Sequence, residues 1–268
     1  MSVDRKARVG LRVVALGYLA VLLLVPVGLI FYRTFERGLG AFIDSITTPA
    51  AVHALFLTLE VAAIVVPLNA IFGVLAAIAL VRGRTPGKRV LDALIDLPFA
   101  ISPVVVGLSL LLVFGRTGWF GPWLADSGIQ IIFSLPGIVI ATLFVTLPFV
   151  AREVAPVLQE IGDEQEQAAA TLGAGGWQTF WRVTLPAIRW GLAYGVVLST
   201  ARAIGEFGAV SVVSGKIAGE TETLTLLVEK RFQNFDLAGA YAASALLALI
   251  ALTTLFAMSL IGSRRSES

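Results

Sequence analysis

The chain has 268 residues, of which 57% are hydrophobic and 14% are charged. That apolar share exceeds the roughly 45–50% that is usual in soluble domains, which excludes an ordinary soluble globular protein and indicates a protein of the lipid bilayer. The sequence has no cysteine, which excludes disulfides, thiolate catalysis and cysteine-based metal sites, and a net charge of +2 gives no indication of nucleic-acid binding.

Long uncharged runs recur along the chain, and runs of about 20 apolar residues match a hydrocarbon core of about 30 Å. Five such runs are clear, and a sixth is interrupted only by Arg202 and Glu206, charges that a helix facing a protein interior tolerates. We therefore predict an all-α membrane protein of one domain, residues 1–268, with six transmembrane helices. Their predicted ranges are 13–32, 54–81, 92–114, 129–150, 187–213 and 237–262.

The placement of lysine and arginine predicts the orientation of these helices. The first apolar run follows four basic residues, but its length exceeds the about 7–15 residues of a signal peptide, so we expect an uncleaved first helix. With the N-terminus inside, 13 basic residues fall in the cytoplasmic segments and six in the outer ones. The positive-inside rule then predicts N-in and C-in, which places residues 152–186 in the cytoplasm.

Two pairs of side chains near the ends of the third helix have simple interpretations. Asp92 and Asp96 lie four residues apart beside Arg89, and we expect them to complete an interfacial turn at its inner end. Trp119 and Trp123 follow the same helix on the outer side, where indole rings commonly anchor a protein at the headgroup level.

The loop before the fifth helix predicts two short helices joined by a turn. Residues 163–172 are rich in Glu, Gln and Ala, with acidic residues early, where the helix dipole favours them. Gly173 is expected to end this helix, and the glycine-rich segment 173–176 allows a sharp change of direction. Pro186 suits the first turn of the next transmembrane helix, where its missing N–H needs no partner.

The second half of the loop carries aromatic residues at helical spacing. Trp177, Phe180 and Trp181 recur at i, i+3 and i+4, which predicts a short helix with one aromatic face. This face could dock in a groove of a partner protein or lie flat on the membrane surface. Docking is favoured, because the acidic first half gives no reason for binding to anionic headgroups.

The fifth predicted helix has one small and polar face. Arg202 and Glu206 are four residues apart and close enough to pair, and Gly191, Gly195 and Ser199 share their face. Two interpretations stay open. The stripe could allow close packing of helices with a structural ion pair, or it could line a pathway in which Arg202 contacts a passing anion.

The loop resembles the EAA loop by which permease subunits of ABC importers contact their ATPases. The similarity is in the order Gln167-Ala168-Ala169, then Gly173, then Val183-Thr184-Leu185-Pro186. Gln167 stands where the family's motif usually has Glu, so it would offer a weaker, uncharged hydrogen bond. The resemblance implies that the following residues couple this chain to an ATPase: Gln167, Ala168, Ala169, Gly173, Trp177, Phe180, Trp181, Leu185 and Pro186.

The segment 201–209 resembles the signature of the sulfate and molybdate branch of these permeases. The continuation 210–244 is similar, more narrowly, to the W-type permease of the bacterial sulfate/thiosulfate importer. The resemblance implies a multi-pass subunit of the cytoplasmic (inner) membrane, without catalysis of its own, and makes Ser199, Arg202 and Glu206 the candidate translocation pathway.

The resemblance also implies partners. They are a homologous T-type permease, two copies of an ABC ATPase that bind ATP and magnesium, and an external sulfate-binding protein that would contact the outer segment 214–236. No cofactor is expected in this chain, since the segment 83–89 has neither the spacing nor the Ser or Thr of a P-loop. Membrane lipid is the remaining expected partner, and nucleic acid is not one.

Three alternatives stay open at the level of sequence. A molybdate or tungstate permease of the same branch would share the loop and the Arg–Glu signature. A secondary anion transporter or channel acting alone, or a membrane-embedded enzyme using Glu206 or His53, would not account for the docking loop. His53 is the only histidine and has no second ligand type beside it, so we predict no metal site.

Overall fold

The computed structural model describes residues 5–83 and 87–265, and every regular element in these two ranges is helical. The predicted domain 1–268 and the segment 83–89 therefore fall partly outside the described residues. The helices are α1 (Arg5–Phe35), α2 (Gly38–Ile46), α3 (Pro49–Arg82), α4 (Lys88–Ala100), α5 (Pro103–Phe114), α6 (Gly121–Asp126), α7 (Leu135–Ile161), α8 (Glu164–Thr171), α9 (Gly176–Thr179), a π-helical turn (Phe180–Thr184), α10 (Leu185–Ile204), α11 (Gly208–Val213), α12 (Leu224–Gln233) and α13 (Leu237–Arg265).

Four helices of the described residues are long and apolar enough to cross a membrane. They comprise Gly10–Phe35 of α1, Pro49–Arg82, Leu135–Ile161 and Leu237–Thr254 of α13. The pair α4 and α5 meets the same criterion jointly, which raises the number to five if the bent pair is one span. The prediction of an all-α chain with several membrane spans is confirmed.

The prediction of one continuous helix over 92–114 is wrong. The chain leaves the helix at Ile101 and Ser102, whose backbones are extended, and α5 begins at Pro103 with a bend of 109° from α4. Proline disfavours helical backbone in the residue before it and cannot donate a hydrogen bond. Hydropathy alone does not register this break, because the run 97–115, which extends across it, carries no charge.

The predicted fifth helix, 187–213, is also divided. α10 ends at Ile204, Gly205 caps it, and α11 starts at Gly208, so Glu206 lies between two helices and not within one. The two breaks are close in space. A Cβ placed on Gly208 would lie 2.9 Å from Cβ of Pro103, and one placed on Gly107 would lie 2.8 Å from the carbonyl oxygen of Ala209.

The predicted loop 152–186 begins with a continuation of α7, which extends to Ile161 instead of ending at residue 150. Val154, Ala155 and Leu158 recur at helical spacing and are buried against α3 and α10, which explains why this segment stays helical. Gly162, with φ of +72°, then separates α7 from α8.

Helices α3, α7 and α10 pack together at the centre of the molecule. Glycines allow their close approach, since a Cβ on Gly73 would lie 2.6 Å from Cβ of Val150, and one on Gly195 would lie 2.9 Å from Cα of the same residue. Gly191 also approaches α7 closely, since a Cβ placed on it would lie 3.0 Å from the carbonyl oxygen of Glu153. The small-residue stripe of α10 is therefore a helix-packing surface.

Candidate functional site

The first half of the loop is a short helix with a well-formed end. α8 spans Glu164–Thr171, close to the predicted 163–172. Gly173 has φ of +85°, and its N–H bonds to the carbonyl of Ala170 while the N–H of Ala174 bonds to that of Ala169, both at 3.0 Å. This Schellman pair satisfies carbonyls at the end of α8 and reverses the chain direction.

The second half of the loop differs from the prediction of a separate short helix. α9 has four residues and continues through the π-helical turn into α10 without a break. The N–H of Leu185 bonds to the carbonyl of Phe180, five residues back. Pro186 has no N–H with which to bond the carbonyl of Arg182, and the wider π turn accommodates the absence of this hydrogen bond. The aromatic face is thus rigidly attached to α10.

The three aromatic residues form one cluster, as their spacing predicts. The ring centroids are 6.1 Å apart for Trp177 and Phe180, 5.6 Å for Trp177 and Trp181, and 5.5 Å for Phe180 and Trp181. Phe180 packs against the core of α3, α7 and α10, whereas Trp177 is 74% exposed and Trp181 51%. The cluster therefore presents two exposed tryptophans beside a half-buried phenylalanine.

The remaining predicted coupling residues differ in their exposure to solvent. Gln167, Ala168 and Pro186 are exposed, and Ala169 and Leu185 are half-buried. Leu172, which the sequence analysis did not single out, is 88% exposed in the turn beside them. Exposed apolar residues that adjoin exposed tryptophans form a patch of the kind that marks interaction sites.

Glu166 is the functional candidate that sequence reasoning missed. Its Oε2 accepts a hydrogen bond from Nε of Arg82 at 2.9 Å, and its Oε1 accepts one from Oγ1 of Thr184 at 2.8 Å. Arg82 also donates to the carbonyl oxygen of Gly162. These partners are distant in sequence, so no local pattern could have identified them.

The pair Arg202 and Glu206 forms as predicted. Nη2 of Arg202 lies 2.6 Å from Oε2 of Glu206, and their side chains are 32% and 1% exposed. The other carboxylate oxygen accepts the N–H of Ala209 at 2.9 Å, and the Glu206 carbonyl accepts the Thr225 hydroxyl. Glu206 thus connects the end of α10 with the start of α11. Its buried carboxylate is paired with Arg202 and hydrogen-bonded to the N–H of Ala209.

Ser199 is fully buried, and its hydroxyl has no hydrogen-bond partner among the described residues. Beside Glu206 lies a cavity of about 10 Å³, lined partly by Thr58, Thr142 and Thr223. Such a space holds one water molecule at most. This cavity beside Glu206 is therefore too small for an oxyanion.

Asp92 and Asp96, for which the sequence predicts an interfacial turn beside Arg89, contact an arginine of another helix. Both carboxylates bind Arg152 of α7, at 2.7 Å and 2.6 Å from Nη2. The two aspartates lie one helical turn apart on α4, and the guanidinium group presents several donors to them. This contact connects α4, the first half of the bent pair α4 and α5, to α7.

Comparison with known proteins gives the family. Residues 69–266 match the family described as binding-protein-dependent transport system inner membrane component. The chain belongs to this family. It is accordingly a multi-pass membrane protein, consistent with its apolar helices, and the resemblance of the chain to importer permeases is confirmed.

Named relatives and a solved structure are similar over most of the chain. It is 55% identical to the sulfate transport system permease protein CysW of Synechocystis sp. over 90% of this chain and 87% of that one. It is 40% identical to CysT of Escherichia coli over 93% and 90% of the two chains. A bacterial ABC transporter involved in alginate import has the same fold, with a TM-score of 0.77 at 17% identity, covering 97% of this chain and 96% of that one.

Proposed function

We propose that this chain is the W-type permease subunit of an ATP-driven importer that moves sulfate, and by resemblance thiosulfate, into the cytoplasm. The observation that carries this proposal is the high identity, over most of both chains, to a permease named for sulfate transport. Within the importer, this chain forms part of the route by which the anion crosses the membrane. ATP and magnesium belong to the partner ATPase, and this chain needs no cofactor.

The proposed assembly pairs this chain with a homologous T-type permease. Support comes from the similarity to proteins of two names, CysW and CysT, with the higher identity to the first. Two ATPase copies would bind on the cytoplasmic side, and an external sulfate-binding protein would contact the segment 214–236. The family is described as binding-protein-dependent, which supports the last partner.

The proposed topology has six spans, N-in and C-in. They are α1, α3, the bent pair α4 and α5, α7, α10 with α11, and α13. Two sets of contacts support this arrangement. Arg82 joins two segments predicted to be cytoplasmic, and Arg152 contacts the predicted inner end of the third span. Arg231 of α12, in contrast, donates to the carbonyl of Ser45 and the hydroxyl of Thr48, both in segments predicted to be external.

The proposed coupling element consists of α8, α9 and the π turn. Trp177 and Trp181 would insert into a groove of the ATPase, with Gln167, Ala168, Ala169, Gly173, Phe180, Leu185 and Pro186 shaping the surface. Apolar side chains that are exposed on a rigid helical base suit helix-in-groove recognition, because little conformational entropy is lost on binding.

The role proposed for Arg202 depends on its partial exposure. Glu206 and Ser199 face the packed interior, and Arg202 leaves about a third of its side chain open. A paired guanidinium can still attract an anion without holding it tightly, which suits a path more than a storage site. In the proposed pathway Arg202 contacts the anion, and Glu206 orients it.

Transport by reconstituted vesicles tests the proposal. The complete complex should take up radiolabelled sulfate only with ATP and the binding protein, and unlabelled sulfate should compete better than molybdate or tungstate. Uptake of molybdate alone would contradict the sulfate assignment. Uptake by this chain without an ATPase would contradict the importer assignment and favour a secondary transporter or channel.

A further inference from the structure

The carboxylate of Glu166 joins three separate parts of the molecule. Arg82 is the last residue of α3, Glu166 is in the first turn of α8, and Thr184 ends the π-helical turn that leads into α10. The two carboxylate oxygens are divided between the other two residues, at 2.9 Å and 2.8 Å. We call these three residues the Glu166 clamp.

The clamp is shielded from solvent. The side chains of Arg82 and Glu166 are only 21% and 23% exposed, and Thr184 is buried. Charge-assisted hydrogen bonds are stronger than neutral ones, and partial burial reduces their screening by salt. The contacts therefore hold a fixed geometry more firmly than a surface ion pair would.

The clamp and the aromatic cluster share the π-helical turn. Phe180, at the start of the π turn, packs on the core formed by α3, α7 and α10, and Thr184 is one helical turn further along. A force applied to Trp177 or Trp181 would reach α10 through the continuous helix. It would reach α3 through Thr184, Glu166 and Arg82.

We propose that Glu166 is a positioning residue for transport, which links movement of the coupling loop to α3 and α10 simultaneously. The inference rests on the proposed function, because it assigns to Glu166 the transfer of ATPase movement to the membrane helices. Without the carboxylate, the loop would still carry its docking face but would move against α3 more freely. ATP hydrolysis would then continue with less transport.

The test measures the ratio of sulfate taken up to ATP hydrolysed in vesicles containing the complete complex. Glu166→Gln removes the charge and leaves the side-chain shape. We expect ATPase binding to be retained and the ratio to fall about 3- to 10-fold, in the range of mutations along coupling networks. The matched control is Glu164→Gln on the same helix, whose carboxylate is exposed and has no ion pair among the described residues, and it should keep the wild-type ratio.

A second variant keeps the inference testable if Glu166→Gln impairs assembly. Thr184→Val removes only the donor hydroxyl and should lower the ratio about 2- to 3-fold, and Thr184→Ser, which keeps the donor, should recover most of that loss. A purely structural role would lower assembly and leave the ratio unchanged in assembled complexes. An unchanged ratio in both Glu166→Gln and Thr184→Val would overturn the positioning role of Glu166 and leave the proposed function intact. If the unmodified complex couples no ATP hydrolysis to sulfate uptake, the proposed function is overturned as well.

Discussion

Trp177 in the coupling loop is 74% exposed, whereas the Glu206 side chain at the break between α10 and α11 is 1% exposed. The loop leaves apolar groups in water, and the break places a charge in the interior. Each arrangement costs free energy by itself, because exposed apolar surface is more stable out of water and a buried charge is destabilising without a partner. The charge has its partner within this chain, whereas the tryptophans keep exposed faces beyond the contacts of their own aromatic cluster.

The two regions therefore differ in where their contacts lie: those of Glu206 lie inside this chain, and the tryptophans face outward. Glu206 is satisfied by Arg202 and by the N–H of Ala209, so its contacts hold the α10–α11 break in place. Trp177 and Trp181 contact each other and Phe180, and their outer faces are free to bind a second protein. Variants at the first site should alter the chain itself, and variants at the second should alter its assembly.

The largest effect is expected from Arg202→Ala. It leaves a buried carboxylate without its cation, and breaking a buried pair costs about 3–5 kcal/mol, although the partial exposure of Arg202 favours the lower end. We expect a lower midpoint of thermal unfolding and loss of sulfate uptake. Arg182→Ala, at an exposed arginine without such a buried partner, is the control for the unfolding midpoint.

An exchange of the two charges separates packing from pathway. If the double variant Arg202→Glu, Glu206→Arg regains both the stability and the sulfate uptake that Arg202→Ala loses, a structural role for the pair is favoured. Restored stability with uptake still absent would favour contact between Arg202 and the anion.

The next effect should come from replacing both Trp177 and Trp181 by alanine. Buried tryptophans are frequent hot spots worth about 2–4 kcal/mol in an interface, so ATPase binding should weaken at least 30-fold. Because both side chains are exposed, thermal unfolding of this chain should hardly change. Titration of the solubilised permease with its ATPase measures the first quantity, and unchanged binding would contradict the docking role.

A smaller effect is expected from Gly195→Ala in the packed centre. The new methyl group would lie 2.9 Å from Cα of Val150, and overpacking of this kind costs about 1–3 kcal/mol. Gly175→Ala is the matched control, since its Cβ meets nothing within 4 Å and its φ is −71°. Equal unfolding midpoints for the two variants would contradict the close packing of α10 on α7.

The smallest effect should come from Gln167→Glu, which supplies the acidic residue usual in the EAA motif. A charge-assisted hydrogen bond to the ATPase would add about 0.5–1.5 kcal/mol, a few-fold gain in affinity. Gln167 is exposed, so the stability of the membrane part should be unchanged. A loss of affinity would indicate that the ATPase groove does not offer a donor or cation at this position.

Much of the candidate site could be predicted because it rests on local patterns. The spacing of Trp177, Phe180 and Trp181 predicts a shared face on any helix, and the positive φ of Gly173 follows from its place after a strong helix-forming segment. The continuity of α9 with α10 could not be predicted. It depends on how the π turn accommodates Pro186 while Phe180 packs on the core.

The membrane environment, the all-α class, the family and the pairing of Arg202 with Glu206 all follow from the amino-acid sequence. Run length, charge placement and i, i+4 spacing are local properties, and they act in the same way in any fold. Tertiary structure decided the 109° bend at Pro103, where proline itself only favours a break, and also the break at Gly205, the extension of α7 to Ile161 and the contact of Glu166 with Arg82. Each of these depends on residues far apart in the chain, whose mutual packing decides where a helix bends and which charge finds a partner.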